Sequence, residues 1–363
     1  MKTRQEVQDL ALEALLPCYR GTVALGTGVG KTLTALKHMN HNLSSSTRFL
    51  IVAPKLSIFQ SWEDDINKFN MEHLRPLIEY STYLSLGELD PTKYSIIYMD
   101  EVHSILEHHS EWLDKYSGKI IGLTGSSPHE RSEKGTMISK YCPIVYDYSV
   151  DEAIEDDILN DYRIIVHTLN LSPIKDIKVE RGGKTWYTSE RDSYSYWNTR
   201  LDSATSQKDL NMLRIMRMTA LKGFKGKEIL AKQLLTDAQD KCLVFANTQV
   251  QADRICKWSY HSKNPKSAQN LEDFKSGKIT MLSAVEQLSE GINIPHLKEI
   301  VIMHSFSGSS PKSQQKIGRS LRLNVLETAI IHILVYANTV DVKWATEACS
   351  KFNKTKITWL NPI

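Results

Sequence analysis

The chain has 363 residues, 41% of them hydrophobic, and its 45 lysines and arginines face 42 aspartates and glutamates for a net charge of +3. That length suits two domains with ordinary cores. The near-balanced charge permits a local nucleic-acid groove without arguing for one, and no run approaches the roughly 18 apolar residues of a membrane span. The charged N-terminus lacks the apolar core of a secretory signal. The five cysteines are scattered without metal-ligand spacing, so the expected setting is a reducing cytoplasm.

Thr3 and Glu6 stand at capping-box spacing, which predicts a helix from Arg4 to Leu16. Val23 to Leu25 read as the end of a buried strand, within the stretch VALGTGVGKTLTAL (23–36). There Gly26, Gly28 and Gly30 let the chain take positive φ and approach a ligand closely. Leu33, Leu36 and Met39 then recur at helical spacing. Loop N–H groups and a helix dipole so converge on a natural anion site. Lys31 adds a point charge suited to the β and γ phosphates of a nucleotide, and the Thr32 hydroxyl is a Mg²⁺ ligand by type. The full phosphate-loop pattern asks for glycine where this chain has Leu25.

RFLIVAP (48–54) reads as a strand stopped by Pro54, and SIFQSWEDDINKF (57–69) as an amphipathic helix capped by Ser57. YSIIYMDE (94–101) is an apolar strand ending in two acids. His108 and His109 have no partner at metal spacing and are expected on a solvated helix. KIIGLTGSSP (119–128) is a further strand with a Gly-Ser turn. The rhythm restarts with KCLVFANT (241–248), KITMLSAV (278–285), KEIVIMHS (298–305) and TAIIHILVYA (328–337). Strands separated by helices mean βαβ units and parallel sheets. The expected fold class is α/β, with the domain boundary near Tyr148 to Asp161, a first domain over 1–148 and the core of the second over 241–363. Between them, 149–240 is expected to be a linker and an aromatic-rich segment, helical after Ser206. In RGGKTWYTSERDSYSYWNTR (181–200), Trp186, Tyr187, Tyr194, Tyr196 and Trp197 alternate with Arg181, Lys184, Arg191 and Arg200. That pattern suits rings stacked on bases with cations tracking phosphates. It equally suits a subdomain packing its aromatics onto the second core.

Asp100 ends an apolar strand, where ligands bind in open α/β sheets. A carboxylate there can hold Mg²⁺ opposite Thr32, and the neighbouring Glu101 can accept a proton from an attacking water. In QQKIGRSLR (314–322), Arg319 and Arg322 are three apart and share a helical face, and planar guanidinium suits the charge of transferring phosphate. LSEGINIP (288–295) is a glycine-centred loop after a strand.

Taken in order, GTGVGKT, DEVH, LTGSS, SEGINIP and QKIGRSLR resemble the motifs of superfamily 2 DExH helicases and translocases. PKLSIFQSWEDDINKF is similar to a run in Swi/Snf-type DNA motors and in phage recombination (branch-migration) helicases. The resemblance extends from Gln8 to Ala337. It implies two tandem RecA-like domains with parallel sheets and ATP in the cleft between them. It implies ATP contacts from Gly26, Thr27, Gly28, Val29, Gly30, Lys31 and Thr32, joined by Gly291 and Asn293. Mg²⁺ falls to Thr32 and Asp100. Glu101, Gln315, Arg319 and Arg322 are the implied catalytic residues. His103, Thr124 and Gly125 would couple hydrolysis to strand movement, and Pro54, Lys55, Ser57 and Thr248 would face nucleic acid. The family's adenine-reading glutamine is matched by Gln8 or by Gln5.

The activity implied is that of an ATP-dependent DNA motor on single-stranded, duplex or branched DNA, serving recombination, repair or replication. It would act as a monomer in the cytoplasm, that of a bacterial host if the protein is a phage one. An RNA helicase and a nucleotide-gated nucleic-acid clamp with little turnover are the alternatives.

Overall fold

Apolar runs without alternation make strands covered on both faces, and both large sheets are built from them. The first takes β1 (Arg20–Leu25), β2 (Phe49–Ala53), β3 (Ile78–Thr82), β4 (Ile96–Asp100), β5 (Lys119–Thr124) and β6 (Ile144–Tyr148). All are parallel, in the order β3-β2-β4-β5-β1-β6. Every residue of β2 and β4 is buried. Helices α1 (Arg4–Leu15), α2 (Lys31–His41) and α3 (Ser57–Lys68) cover one face, closing Leu15, Leu36, Trp62 and Ile66 over Val23, Ile51, Tyr98 and Leu123. Helices α4 (Ser110–Lys115) and α5 (Glu133–Tyr141) cover the other. The computed structural model describes residues 1–26, 28–125, 127–128, 132–285, 294–303, 328–350 and 352–362.

The cap on α1 forms as its spacing dictates. Glu6 N–H donates to Thr3 Oγ1 at 3.2 Å, while Thr3 N–H donates to Glu6 Oε2 at 2.6 Å. Ser57 does not cap α3. It is the first helical residue, and no side chain bonds at the cap position, Leu56. Leu56 already has helical φ and ψ (−58° and −32°), so the extended residue that turns a hydroxyl back onto a helix end is missing.

After α6 (Val150–Glu155) come β7 (Tyr162–Leu169), a hairpin of β8 (Ile177–Arg181) and β9 (Lys184–Thr188), α7 (Glu190–Asp202), α8 (Gln207–Gly223) and α9 (Gly226–Asp237). The chain continues with β10 (Cys242–Phe245), α10 (Gln249–Ile255), β11 (Ser259–Tyr260), α11 (Ser267–Ser276), β12 (Met281–Ala284), β13 (Glu299–Ile302), β14 (Ala329–Tyr336), α12 (Val340–Cys349) and β15 (Ile357–Leu360). The second sheet is parallel, in the order β11-β12-β10-β13-β14-β7-β15.

The second sheet begins at Tyr162, ahead of 241 and just past the stretch from Tyr148 to Asp161 that separates it from the first sheet. β14 presents eight residues for pairing, and β13 matches only Ile330 to Ile333. A buried strand needs partners along both edges. β7 supplies the other edge in full, from Tyr162 opposite Ala329 to Leu169 opposite Tyr336. The segment expected to be a linker therefore holds a core strand, a hairpin and two helices ahead of Ser206, whose hydroxyl caps α8. A buried ion pair ties α9 to α12, with Lys227 Nζ 2.6 Å from Asp341 Oδ2 and both side chains 2% exposed. Among the described residues no helix is long and apolar enough to cross a membrane.

Candidate active site

β1 delivers the chain into the glycine loop. Gly26 N–H donates to Tyr148 O and Val29 N–H to Gly26 O, each at 3.0 Å. Gly28 and Gly30 take φ of 99° and 116°, where a side chain would be strained. Gly30 is the cap residue of α2 and has no side chain with which to bond that helix end. The first-turn N–H groups and the dipole of α2 are thus left to a ligand. Gln8 of α1 is buried, and its Nε2 donates to Val29 O at 2.8 Å. A methyl group at Gly30 would meet that nitrogen at 2.3 Å, so the glutamine fills the space the glycine leaves. Gln5 is exposed and bonds to Asp9, so Gln8 is the one of the two that touches the loop.

The sheet order β4-β5-β1 sets the two acids one strand away from the loop. Asp100 is buried at the end of β4. Trp62 Nε1 of α3 donates to its Oδ2 at 2.9 Å, Glu101 N–H donates to its Oδ1 at 2.9 Å, and Tyr83 O–H donates to its backbone carbonyl at 3.1 Å. Glu101 sits in the left-handed region, φ 48° and ψ 53°. A non-glycine residue there costs about 1–3 kcal/mol and is characteristic of functional sites. Between the strands, buried His103 reaches both sides. Its Nδ1 lies 3.2 Å from Thr124 Oγ1, at the end of β5, and 3.5 Å from Glu101 Oε2.

Burial, and then the charge of Glu101, push the Asp100 carboxyl up to about 6. The charge of Lys31, the indole N–H and the Glu101 N–H pull it the other way without prevailing. Two adjacent acids with one lysine opposite are short of positive charge. Each Asp100 oxygen keeps a lone pair beyond the hydrogen bond it accepts. Among the described residues no cluster of three or more His, Cys, Asp or Glu could hold a metal by itself. One carboxylate, a hydroxyl and substrate phosphates form a donor set that fits Mg²⁺.

Other expected site residues fall in varied surroundings. Pro54, Lys55 and Ser57 lie on the turn from β2 into α3, with Ser57 exposed. Thr248 follows β10, and its hydroxyl accepts from Gln251 N–H, so it caps α10. Gly125 directly follows β5. Thr27, Gly291, Asn293, Gln315, Arg319 and Arg322 lie outside the described residues. His109 is not on a solvated helix. It is buried in a 3₁₀ turn, where its Nδ1 accepts from Leu106 N–H at 2.9 Å and its Nε2 donates to Tyr83 O at 3.1 Å. Two fixed backbone partners outweigh the solvation of a neutral imidazole. The partners of Asp100 had no sequence signal. Trp62 has the spacing of a core residue, and nothing local to it shows that its N–H reaches β4.

Comparison with known proteins bears on this arrangement. Residues 2–84 match the family described as Type III restriction enzyme, res subunit, and residues 225–324 match the Helicase conserved C-terminal domain. The DNA 3'-5' translocase XPB2 of Sulfurisphaera tokodaii is 24% identical over 394 residues, which cover 94% of this chain and 84% of that protein. Among solved structures, the ATP-dependent Type ISP restriction-modification enzyme LlaBIII bound to DNA aligns with a TM-score of 0.65 at 13% identity. The alignment covers 100% of this chain and 31% of that enzyme, so this chain spans about a third of it. Dbp5 of S. cerevisiae, bound to RNA and ADP BeF3, aligns with a TM-score of 0.59 at 13% identity, over 98% of this chain and 89% of its own. Two parallel sheets, a phosphate loop on the first and the helicase match on the second define an ATP-hydrolysing protein with tandem RecA-like domains. The two family matches, one in each half of the chain, and the translocase relative support a superfamily 2 helicase or translocase.

Proposed function

We propose that the protein is an ATP-driven DNA motor that tracks duplex or remodels branched DNA. The observation that carries the nucleotide part is the glycine loop leading into α2, with buried Asp100 ending β4 at the carboxyl edge of the same parallel sheet. The first-turn N–H groups of α2 and Lys31 bind the phosphates of ATP. Thr32 and Asp100 hold a divalent cation, which when bound supplies positive charge to the phosphate oxygens. Glu101, fixed in its left-handed conformation, takes the proton of the attacking water. Arg319 and Arg322 bring guanidinium charge from the second domain, and Gln315, Gly291 and Asn293 complete that side. His103, in reach of both Glu101 and Thr124, passes the state of the site to the loop at Gly125.

DNA is favoured by the translocase relative, which aligns along nearly the whole chain. The likeness to Dbp5 speaks to fold alone. The Pro54–Ser57 turn leads into α3, whose Trp62 touches Asp100, so a grip on nucleic acid at the turn is mechanically joined to the nucleotide site. At a fork or four-way junction, pairing lost on one arm is regained on another, so a weakly processive motor suffices. The test is the ATPase rate with single-stranded, duplex and four-way-junction DNA and with RNA. Duplex or junction DNA should stimulate at least as well as single strands, and junctions should be remodelled better than long duplexes are unwound. Activation by RNA alone, or efficient opening of long duplexes with junctions untouched, overturns the proposal. A clamp would show nucleotide-dependent binding without steady DNA-stimulated turnover.

A further inference from the structure

The module between β7 and α9 belongs to neither large sheet. Residues 172–224 carry ten lysines and arginines against six acids, whereas the whole chain is only +3, so the excess positive charge resides here. Four of the six acids are already engaged, Asp209 by the Ser206 hydroxyl at 2.7 Å. Asp176 pairs with Lys225 at 2.6 Å, Glu180 pairs with Lys178, and buried Glu190 accepts the N–H groups of Ser172 and Lys225.

α7 and the chain just past the carboxyl ends of β7 and β14 enclose a cavity of about 390 Å³. It is lined by Arg191, Ser195, Asn198, Thr199, Asn170 and Asn338 among others, with no carboxylate among the described residues that line it. Arg217 of α8 backs this wall. Its Nη1 donates to Asn198 Oδ1 at 2.8 Å, its Nε is buried without a partner among the described residues, and its charge also reaches Tyr194. With the Asn198 carbonyl engaged, the amide N–H groups are its remaining capacity. A guanidinium, amide and hydroxyl donors, and a second guanidinium behind them form a lining for an anion. The place is also where open α/β sheets bind ligands.

The aromatics of the module divide. Tyr194 packs into the second core, and its hydroxyl accepts from Val340 N–H at 2.9 Å. Trp186 and Tyr187 stay 44% and 59% exposed on β9, one on each face of the hairpin, and β9 reaches α7 with only Ser189 between. Resting on the DNA-motor proposal, we infer that this module is a second DNA contact. The cavity under α7 holds one backbone phosphate with its sugar, and the exposed rings of the hairpin stack on bases of the same strand.

The test is fluorescence anisotropy of a labelled oligothymidylate titrated with the full chain, between about 50 and 200 mM salt. Arg191→Ala should weaken binding several-fold and flatten the slope of log affinity against log salt by about 0.7, one phosphate contact on a single strand. Thr199→Glu, an exposed change at the rim, should do the same or more. Trp186→Ala should weaken binding about fivefold or more with the slope unchanged, as loss of a stacked base does. Lys208→Ala removes one positive charge from an exposed site outside the cavity and should match the wild type. Thermal melting checks that each variant is folded. Wild-type binding and slope in both Arg191→Ala and Thr199→Glu overturn the inference and leave the motor standing. So does equal weakening by Lys208→Ala, which would mean a diffuse field and not a site. A wild-type chain that binds no DNA overturns both proposals.

Discussion

Replacing Trp62 with Phe keeps an aromatic ring in the core and removes the N–H that Asp100 Oδ2 accepts at 2.9 Å. Two costs are expected, and pH separates them. The smaller ring leaves a packing defect that does not depend on pH. The lost hydrogen bond does depend on it. A bond to an ionised group is worth about 1.5–3 kcal/mol and one to a neutral group about 0.5–1.5. Asp100 has its folded-state pKa raised to about 6, above the unfolded value of about 3.9. Charging it therefore costs stability as pH rises, and the indole N–H is one of the groups that limits the cost. Without that donor the carboxyl should rise by about one further unit for each 1.4 kcal/mol lost. Trp62→Phe should thus destabilise the apo protein by about 1 kcal/mol more at pH 8, where Asp100 is ionised, than at pH 5, where it is largely protonated in both proteins. Denaturant unfolding followed by circular dichroism at the two pH values measures this difference. In turnover, the pH at which magnesium supports half-maximal ATPase should move upward. Equal destabilisation at pH 5 and pH 8, with no shift in that midpoint, would refute the claim that the indole supports an ionised Asp100.

Lys31→Ala should abolish ATPase activity with an unchanged circular dichroism spectrum; near-wild-type turnover in the folded variant removes the nucleotide assignment. Glu101→Gln keeps the shape and loses the proton acceptor, so nucleotide binding should persist while hydrolysis falls by about a hundredfold or more; loss of binding instead would make Glu101 structural. Arg319→Ala or Arg322→Ala should spare nucleotide binding and slow hydrolysis by roughly 10³ or more, as loss of an arginine finger does, which single-turnover assays can read. Lys227→Met strands Asp341 in the core and should cost about 3–5 kcal/mol in denaturant unfolding, whereas an apolar replacement of both partners should be close to neutral; equal losses from the single and double changes would show that the pair itself is stabilising.

What the sequence determined was whatever depends on short-range chemistry. Glycine spacing at 26–30, the Lys31–Thr32 pair and the helical run after them specify a phosphate loop, because positive φ and helix-end N–H groups are local properties. Apolar runs such as FLIVA and IIYMD specify buried parallel strands, since only a sheet covered on both faces tolerates them. The reciprocal cap of Thr3 and Glu6 is of the same kind, being closed within one turn. The tertiary structure decided what depends on chain segments far apart. It placed β7 in the second sheet, because β14 needed a partner on its other edge, and no pattern in 149–240 names that partner. It withheld the cap from Ser57, because the turn from Pro54 enters the helix already in helical geometry. It buried His109 against carbonyl and amide groups from two segments. It brought Trp62 to Asp100 across 38 positions of chain, so that the acid's ionisation answers to a residue whose own spacing indicates only a helix face. A side chain's backbone conformation is set by its neighbours in sequence, but its desolvation and its hydrogen-bond partners are set by whatever the fold packs against it.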